Sequence, residues 1–465
     1  MTALIVRDEA TQAGGHAPPS DTELLARADE RLPRYTSYPT APHFTPQIGA
    51  DAYATWLDTL DPGLPLSLYL HVPFCEQLCH YCGCHTTVAN GSERIAHYAQ
   101  LLMREVELVS DAIGRRQTVS HIHWGGGTPS ALAACDFLSI SRKIGDRFAI
   151  ADNAEIAVEI DPRRLSERHL QAFADAGVNR ASLGVQDFDP TVQQAIGRIQ
   201  SFGQTARAVG ALRRIGVDRI SFDLMYGLPY QTTQSVARSV ATALDLNPSR
   251  ISLFGYAHVP WMKKHQQLIP ADALPDGAGR LAQVRTAEAE LARAGFVAIG
   301  LDHFALPDDP LALALSASRL HRNFQGYTTD TAPALIGLGA SSIGSLPEGY
   351  VQNAANLKLY REAIERGRFA TARGFALSDE DRVRRSIIER LMCDLAVDLA
   401  DYVSDPHTAF AHELASLSKL ADDGLVTIEA NQLTVPDAMR PFVRQVAAVF
   451  DIYLQRSEIR HSRAV

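Results

Sequence analysis

The sequence predicts an α/β fold: a parallel, barrel-like sheet with helices between its strands, an N-terminal extension before it and a mainly helical C-terminal domain after it. Two patterns carry that reading. Between residues 66 and 256 six short apolar runs alternate with amphipathic stretches, and after residue 370 the alternation stops. A third feature bears on chemistry. Of six cysteines, Cys75, Cys79, Cys82 and Cys84 fall within ten residues.

Residues 1–30 read as a flexible tail, because "QAGGHAPPSD" is rich in Gly, Pro and small residues and has no apolar period. Residues 31–65 form the extension. Its "PRYTSYPTAPHF" (33–44) is extended, since prolines exclude a helix interior. The six runs are "LSLYLHV" (66–72), "SHIHWG" (120–125), "EIAVEI" (155–160), "RASLGV" (180–185), "RISFDL" (219–224) and "ISLFGY" (251–256). We read them as strands apolar on both faces, as buried parallel strands are. In 93–113, Ile95, Tyr98, Leu101, Leu102, Val106, Val109 and Ile113 recur at three and four, the period of an amphipathic helix. The barrel and its accessory segments take residues 66–365, and the C-terminal domain takes 370–465. In the latter, Val383, Ile387, Ile388, Leu391, Met392 and Leu395 share one helical face, "GLVTIEANQLTV" (424–435) reads as a hairpin, and a helix is expected over 437–455. The outline admits a winged helix, but its mixed charges carry no nucleic-acid signal. A packing or lid role is the better expectation.

The chain has 465 residues, 46% of them hydrophobic and 21% charged, ordinary values for a soluble globular protein. Its formal charge of −9 argues against nucleic-acid binding, which needs a basic footprint, so an anionic ligand requires a local cationic cluster. The apolar run Leu4–Val6 is interrupted by Arg7 and Asp8, which excludes a signal-peptide core, and no stretch has the length of a membrane span. The expected compartment is the cytoplasm. Thiols stay reduced there, so crowded cysteines read as metal or redox chemistry.

Three readings compete for "HVPFCEQLCHYCGCH" (71–85). Disulfides are disfavoured by compartment and crowding. A zinc site is possible, with His71, His80 or His85 completing a tetrahedron, although no second Cys/His pair follows downstream. The third is an iron–sulfur cluster on Cys75, Cys79 and Cys82, whose spacing is C-x3-C-x2-C. Three thiolates on a four-iron cube leave one iron open to a small molecule. That spacing, directly after a first strand, resembles the radical S-adenosylmethionine superfamily, whose fold is a partial (β/α)6 barrel.

In parallel barrels, chemistry gathers at the C-terminal strand ends. The second run ends in "GGGTP" (125–129), which is either a tight turn or backbone left bare for a ligand. The third ends in "VEIDP", where Glu159 needs a partner if buried. The fourth ends in Gln186 and the fifth runs to Asp223, a residue suited to ribose hydroxyls. Each alone reads as a capping residue; together they suggest a polar pocket.

Within the superfamily the chain resembles the oxygen-independent coproporphyrinogen III oxidases (coproporphyrinogen dehydrogenases) from about residue 31 to 460. The matching pieces are "PRYTSYPTA", "LYLHVPFCEQLCHYCGCH", "HWGGGTP", "VEIDP", "GVQDF", "DLMYGLP", "YAHVP", "LDHFALPDD" and "LHRNFQGYTT". The resemblance implies a [4Fe-4S] cluster on Cys75, Cys79 and Cys82 and two molecules of S-adenosylmethionine. Tyr69, Tyr81, Gly126, Glu159, Ala257 and Ile343 match positions contacting the first. Gly127, Thr128, Gln186, Arg198 and Asp223 match those contacting the second. Tyr81 stands where the family often has Phe. Arg198 would otherwise read as a solvated helix charge, and Cys84 as a structural or substrate-side thiol. Cys135 and Cys393 are expected in the core.

The implied activity is anaerobic oxidative decarboxylation of two propionates of coproporphyrinogen III to vinyl groups. It gives protoporphyrinogen IX in haem biosynthesis, by 5′-deoxyadenosyl radical chemistry. Expected partners are that substrate and an external electron donor such as a flavodoxin or ferredoxin, with no nucleic acid, no membrane span and a monomeric chain. Arg34, Arg322 and Lys263 are candidates for the substrate carboxylates. The alternatives are a haem-binding chaperone or haem-processing paralogue and, from another class, a zinc-stabilised interaction protein.

Overall fold

The computed structural model describes residue 27 and residues 30–89 and 91–454. The tail expected over 1–30 lies outside the described residues except for Arg27 and Glu30. One twelve-stranded sheet organises the molecule. Its strands are β1 (Leu66–Val72), β2 (Thr118–Gly126), β3 (Ala149–Ile160), β4 (Arg180–Gln186), β5 (Arg219–Tyr226), β6 (Arg250–Gly255), β7 (Val297–Ile299), β8 (His303–Ala305), β9 (Ala334–Leu338), β10 (Ile343–Leu346), β11 (Gly349–Asn353) and β12 (Thr371–Ala376). They lie in the order β12-β11-β10-β9-β1-β2-β3-β4-β5-β6-β8-β7.

The six expected strands are β1 to β6, and they pair in parallel. A seventh parallel strand, β9, covers the other edge of β1, so Leu68 faces Ile122 on one side and Ile336 on the other. Antiparallel strands finish both edges: β10 to β12 beyond β9, and β8 and β7 beyond β6. The result is an open, partial barrel of parallel strands with antiparallel margins.

Helices occupy the connections, among them Ser92–Ile113, Ala134–Arg147, Glu167–Asp175, Phe202–Arg214 and Thr233–Leu244. Local chemistry sets their ends. Ser166 caps the third, and Ser201 and Thr232 form capping boxes on the last two, satisfying N–H groups that would otherwise be left without partners. The first stops at Gly114, whose φ of 71° is the left-handed conformation that ends helices. Val106, Phe137, Phe173, Leu212 and Val240 from these helices pack on Leu68, Trp124, Val158, Leu183, Phe222 and Leu253 of the sheet.

That packing corrects one expectation. The parallel strands are apolar on their outer face only. Their other face presents Ser67, His121, His123, Glu155, Arg180, Ser221 and Arg250, which line an internal cavity of about 300 Å³. The period-two alternation that follows from strand geometry therefore separates core from lumen, and charged and polar side chains share the lumen with apolar ones such as Ala157 and Phe254.

The C-terminal region opens with helix Asp379–Asp394, held by a capping box at Ser378. Ile387, Ile388, Leu391 and Met392 pack on Val426, Leu433, Val446 and Phe450. Tyr35 and Tyr38 of the extension join this core. The hairpin is present as Thr427–Glu429 and Gln432–Thr434, with Ala396–Asp398 as a third strand. The helix expected over 437–455 is instead a 3-10 stretch, Asp437–Phe442, and a short helix, Val443–Ala448; Pro441 lacks the N–H that a longer helix would need. Cys393 is buried as expected, but Cys135 is exposed. Cys135 sits in the first turn of its helix, whose buried face is Phe137, Ile140 and Ile144. Among the described residues no helix is long and apolar enough to cross a membrane.

Candidate active site

β1 delivers the chain to the barrel mouth, where Pro73 breaks it. Phe74–Cys75 then pairs with Thr87–Val88, closing residues 75–88 into a loop with bonds Thr87 N to Pro73 O (2.8 Å) and Ala89 N to Cys75 O (3.2 Å). The loop is fastened to its surroundings at several points. His80 N donates to Ile196 O at 2.9 Å, and its ring lies against Gly197. From the loop after β6, Gln266 donates to Tyr81 O (3.0 Å) and Ala257 O (3.2 Å), and His265 lies 2.7 Å from Cys82 O.

Cys75, Cys79 and Cys82 border one cavity of about 530 Å³. Burial pushes the Cys75 thiol up to about 12. The adjacent Cys84 thiol holds Cys82 below the usual thiol range, and the same pairing together with desolvation raises Cys84. Cys84 is open to solvent and borders both this cavity and the deeper one.

The three glycines that end β2 and follow it each have a steric reason. A β-carbon on Gly125 would meet the Glu159 carboxylate at 2.7 Å. One on Gly126, whose φ is 114°, would meet the His71 ring at 2.7 Å. One on Gly127 would meet Phe74 O at 2.5 Å. Gly127 N donates to Val72 O (2.8 Å) and Thr128 N to Phe74 O (2.9 Å), so the glycine run is stitched to the chain entering the cysteine loop. A tight turn alone does not account for it.

Glu159 has the partner its burial demands. His123 Nε2 lies 2.9 Å from one carboxylate oxygen and Gly126 N donates to the other at 3.1 Å. Burial alone would raise this carboxyl, but His123 and the Gly126 N–H outweigh it and hold the group below its usual range. Asp223 is the opposite case. Burial, then the nearby charge of Glu159, pushes it up to about 6, although Ser182 donates to it at 3.2 Å. Gln186 adopts a φ of 70° at the end of β4. Arg198 is buried, donating to Gly184 O at 2.7 Å and lying 3.6 Å from Cys79 Sγ, which removes the reading as a solvated charge.

The mouth therefore gathers Cys75, Cys79, Cys82, Tyr81, Gly126, Gly127, Thr128, Glu159, Gln186, Arg198, Asp223 and Ala257 around one space. Tyr69 and Ile343 do not line it. Tyr69 lies beneath, its hydroxyl 2.9 Å from His71 Nδ1, and Ile343 packs beside Phe44 and Tyr350. Of the three candidate substrate cations, Arg34 and Lys263 line the cavity, and Lys263 donates to Cys84 O at 3.0 Å. Arg322 is elsewhere, buried over the Tyr327 ring at 4.3 Å and 3.8 Å from Asp302. The sequence reading missed Asp161, Arg163, Ser182 and Gln266. The first two sit in "IDPRR", which reads locally as a turn; Ser182 is a small residue inside the fourth strand run, and Gln266 lies in a stretch without periodic signal.

The donor set fits a cluster better than one ion. Among the described residues no three His, Cys, Asp or Glu groups converge closely enough to hold a single metal ion, whereas three thiols face a common space.

Comparison with known proteins agrees with this geometry. The model of the Radical SAM superfamily matches residues 69–243. The chain is 51% identical over 445 residues to an oxygen-independent coproporphyrinogen III oxidase of Bradyrhizobium diazoefficiens, covering 95% of this chain and 99% of that protein. It is 44% identical over 452 residues to the enzyme of the same name from Paracoccus denitrificans, covering 96% and 99%. Among solved structures it superposes on the coproporphyrinogen III oxidase HemN of Escherichia coli, described as a radical SAM enzyme. The TM-score is 0.86 at 35% identity, covering 91% of this chain and all of that one.

Proposed function

The chain belongs to the oxygen-independent coproporphyrinogen III oxidases, and we propose on that premise that its barrel mouth decarboxylates two propionates of coproporphyrinogen III to vinyl groups, giving protoporphyrinogen IX. The observation that carries this is the meeting of three thiols, Gly126 and Gly127 of the glycine run and the polar ends of β3, β4 and β5 around one cavity. Cys75, Cys79 and Cys82 would hold a [4Fe-4S] cluster by their thiolates, beside the cavity that would take S-adenosylmethionine. When bound, cluster and S-adenosylmethionine supply the radical chemistry that removes hydrogen from the propionate β-carbon.

The chain's own groups bind and orient. Tyr81, fixed by Gln266, offers a ring face to the first S-adenosylmethionine. The ionised Glu159 and Gly126, joined by a hydrogen bond on the cavity wall, receive its polar end. Gly127, Thr128, Gln186, Arg198 and Asp223 serve the second molecule. Arg34 and Lys263 give a protein of net charge −9 the local cations that a substrate with four carboxylates needs. Electrons arrive from an external carrier of flavodoxin or ferredoxin type, and the chain acts as a monomer.

Anaerobic turnover tests the reading. Reconstituted protein with reductant should form protoporphyrinogen IX from coproporphyrinogen III only when S-adenosylmethionine is added. Haem binding without turnover, or a colourless protein carrying stoichiometric zinc, would refute it.

A further inference from the structure

Cys79 is the buried member of the three thiols, and two guanidinium groups approach its sulfur. Arg198 Nη1 lies 3.6 Å from it and Arg163 Nη2 lies 3.9 Å from it. Both cations share one carboxylate. Asp161 accepts from Arg163 Nε (2.9 Å) and Nη2 (2.6 Å), and lies 3.4 Å from Arg198 Nη2. Asp161 also caps the turn Pro162–Arg164, accepting from Arg163 N at 3.1 Å. Arg163 is thus held at both backbone and side chain, with only 12% of its side chain exposed. Two positive charges against one negative leave a net cation beside a single sulfur.

We propose that Arg163 is a positioning residue for electron transfer: with Arg198, and restrained by Asp161, it directs cationic N–H groups at the Cys79 sulfur and raises the reduction potential of the cluster. Reduction places an additional electron on an assembly whose sulfurs carry much of the charge. Cationic donors stabilise that reduced state more than the oxidised one, the usual lever by which surroundings set such potentials. The carboxylate sets the size of the effect, because it neutralises one of the two guanidinium groups. The proposal rests on Cys79 as a cluster ligand.

The test is a redox titration followed by electron paramagnetic resonance on anaerobically reconstituted full-length protein, with iron and sulfide content measured alongside. Arg163→Gln should make the midpoint more negative, leaving about tenfold less reduced cluster at a fixed poise, which is about 59 mV for a one-electron couple. Arg163→Lys should restore part of that shift. Asp161→Asn, which removes the neutralising charge, should move the midpoint the other way. Variants with unmoved midpoints, or both moved in the same direction, would overturn the proposal, as would a raised substrate KM in Arg163→Gln with the potential unchanged. Should Arg163→Gln assemble no cluster, Asp161→Asn decides alone: a more positive midpoint supports the role, and an unmoved or more negative one removes it. Failure of the underlying ligand assignment looks different, since the unmutated protein would then show no [4Fe-4S] signal and both readings fall.

Discussion

Replacing Cys79 by serine should abolish turnover and leave a folded, colourless protein. The hydroxyl is nearly isosteric with the thiol, but it does not ionise in the range where a thiolate ligand forms, and hard oxygen is a poor substitute for sulfur on iron. Cys79 sits in the loop that closes between Cys75 and Val88, outside the barrel's hydrophobic core, so circular dichroism and the thermal midpoint should stay close to those of the unmutated protein. Iron content, visible absorbance and product formation should fall together to background. Cys135→Ser is the internal control: Cys135 is exposed in the first turn of helix Ala134–Arg147 and does not line the cavity, and its replacement should change none of these readings. Retained cluster and activity in Cys79→Ser would remove the ligand assignment.

Gly127→Ala should have the second large effect. The new methyl would stand 2.5 Å from Phe74 O, 2.8 Å from its carbonyl carbon and 2.9 Å from its N. All three atoms are backbone, so no side-chain rotation relieves the overlap, and the segment leading into Cys75 has to move. Overpacking of this kind costs about 1–3 kcal/mol. Here the displaced atoms carry the first thiol, so cluster content should fall more steeply than stability does. Gly210→Ala makes the comparison sharp. Gly210 lies within helix Phe202–Arg214, where an added methyl meets nothing within 4 Å, and the change should stabilise by about 0.5–1 kcal/mol without touching activity. Denaturant unfolding and iron analysis of both variants check this. Equal cluster content in Gly127→Ala and the unmutated protein would contradict the steric account.

Particular residues show why much of this was legible in the sequence and some was not. The strands β1 to β6, the helix Ser92–Ile113 and the C-terminal hairpin have strong local periods, and a local period is what a sequence displays directly. The strand β9 has none that marks its place. "ALIGL" is an unremarkable apolar run, and its pairing with β1 joins segments more than 260 residues apart, as the match of Leu66 with Ala334 shows. The short strands β7, β8 and β10 to β12 depend on the same long-range pairing. In "LSLYLHV" the alternation is present, yet Tyr69 and His71 among leucines read as further hydrophobic content until the lumen gives them a separate face.

At the site, the cysteines, the glycine run and the strand-end Glu159 and Asp223 stood out because each is costly unless it has a task. Arg163 did not, because "DPRR" after a strand is ordinary turn chemistry. Its place beside Cys79 follows from the packing of the 75–88 loop against the end of β3. Arg322 lies apart from the cysteine cavity. Its position in a family motif suggests a substrate contact, and in the fold its guanidinium lies over the Tyr327 ring and 3.8 Å from Asp302. Proximity to a motif along the chain fixed neither its depth nor its neighbours.

On the proposed function, the mouth of this barrel removes hydrogen from the β-carbon of a substrate propionate. Anaerobic turnover of coproporphyrinogen III deuterated at the propionate β-carbons tests it most directly, with mass analysis of the recovered 5′-deoxyadenosine. Deuterium in the 5′-deoxyadenosine, rising in step with vinyl product, is the predicted result. Product formed with the deuterium released to water and none in 5′-deoxyadenosine would contradict the account.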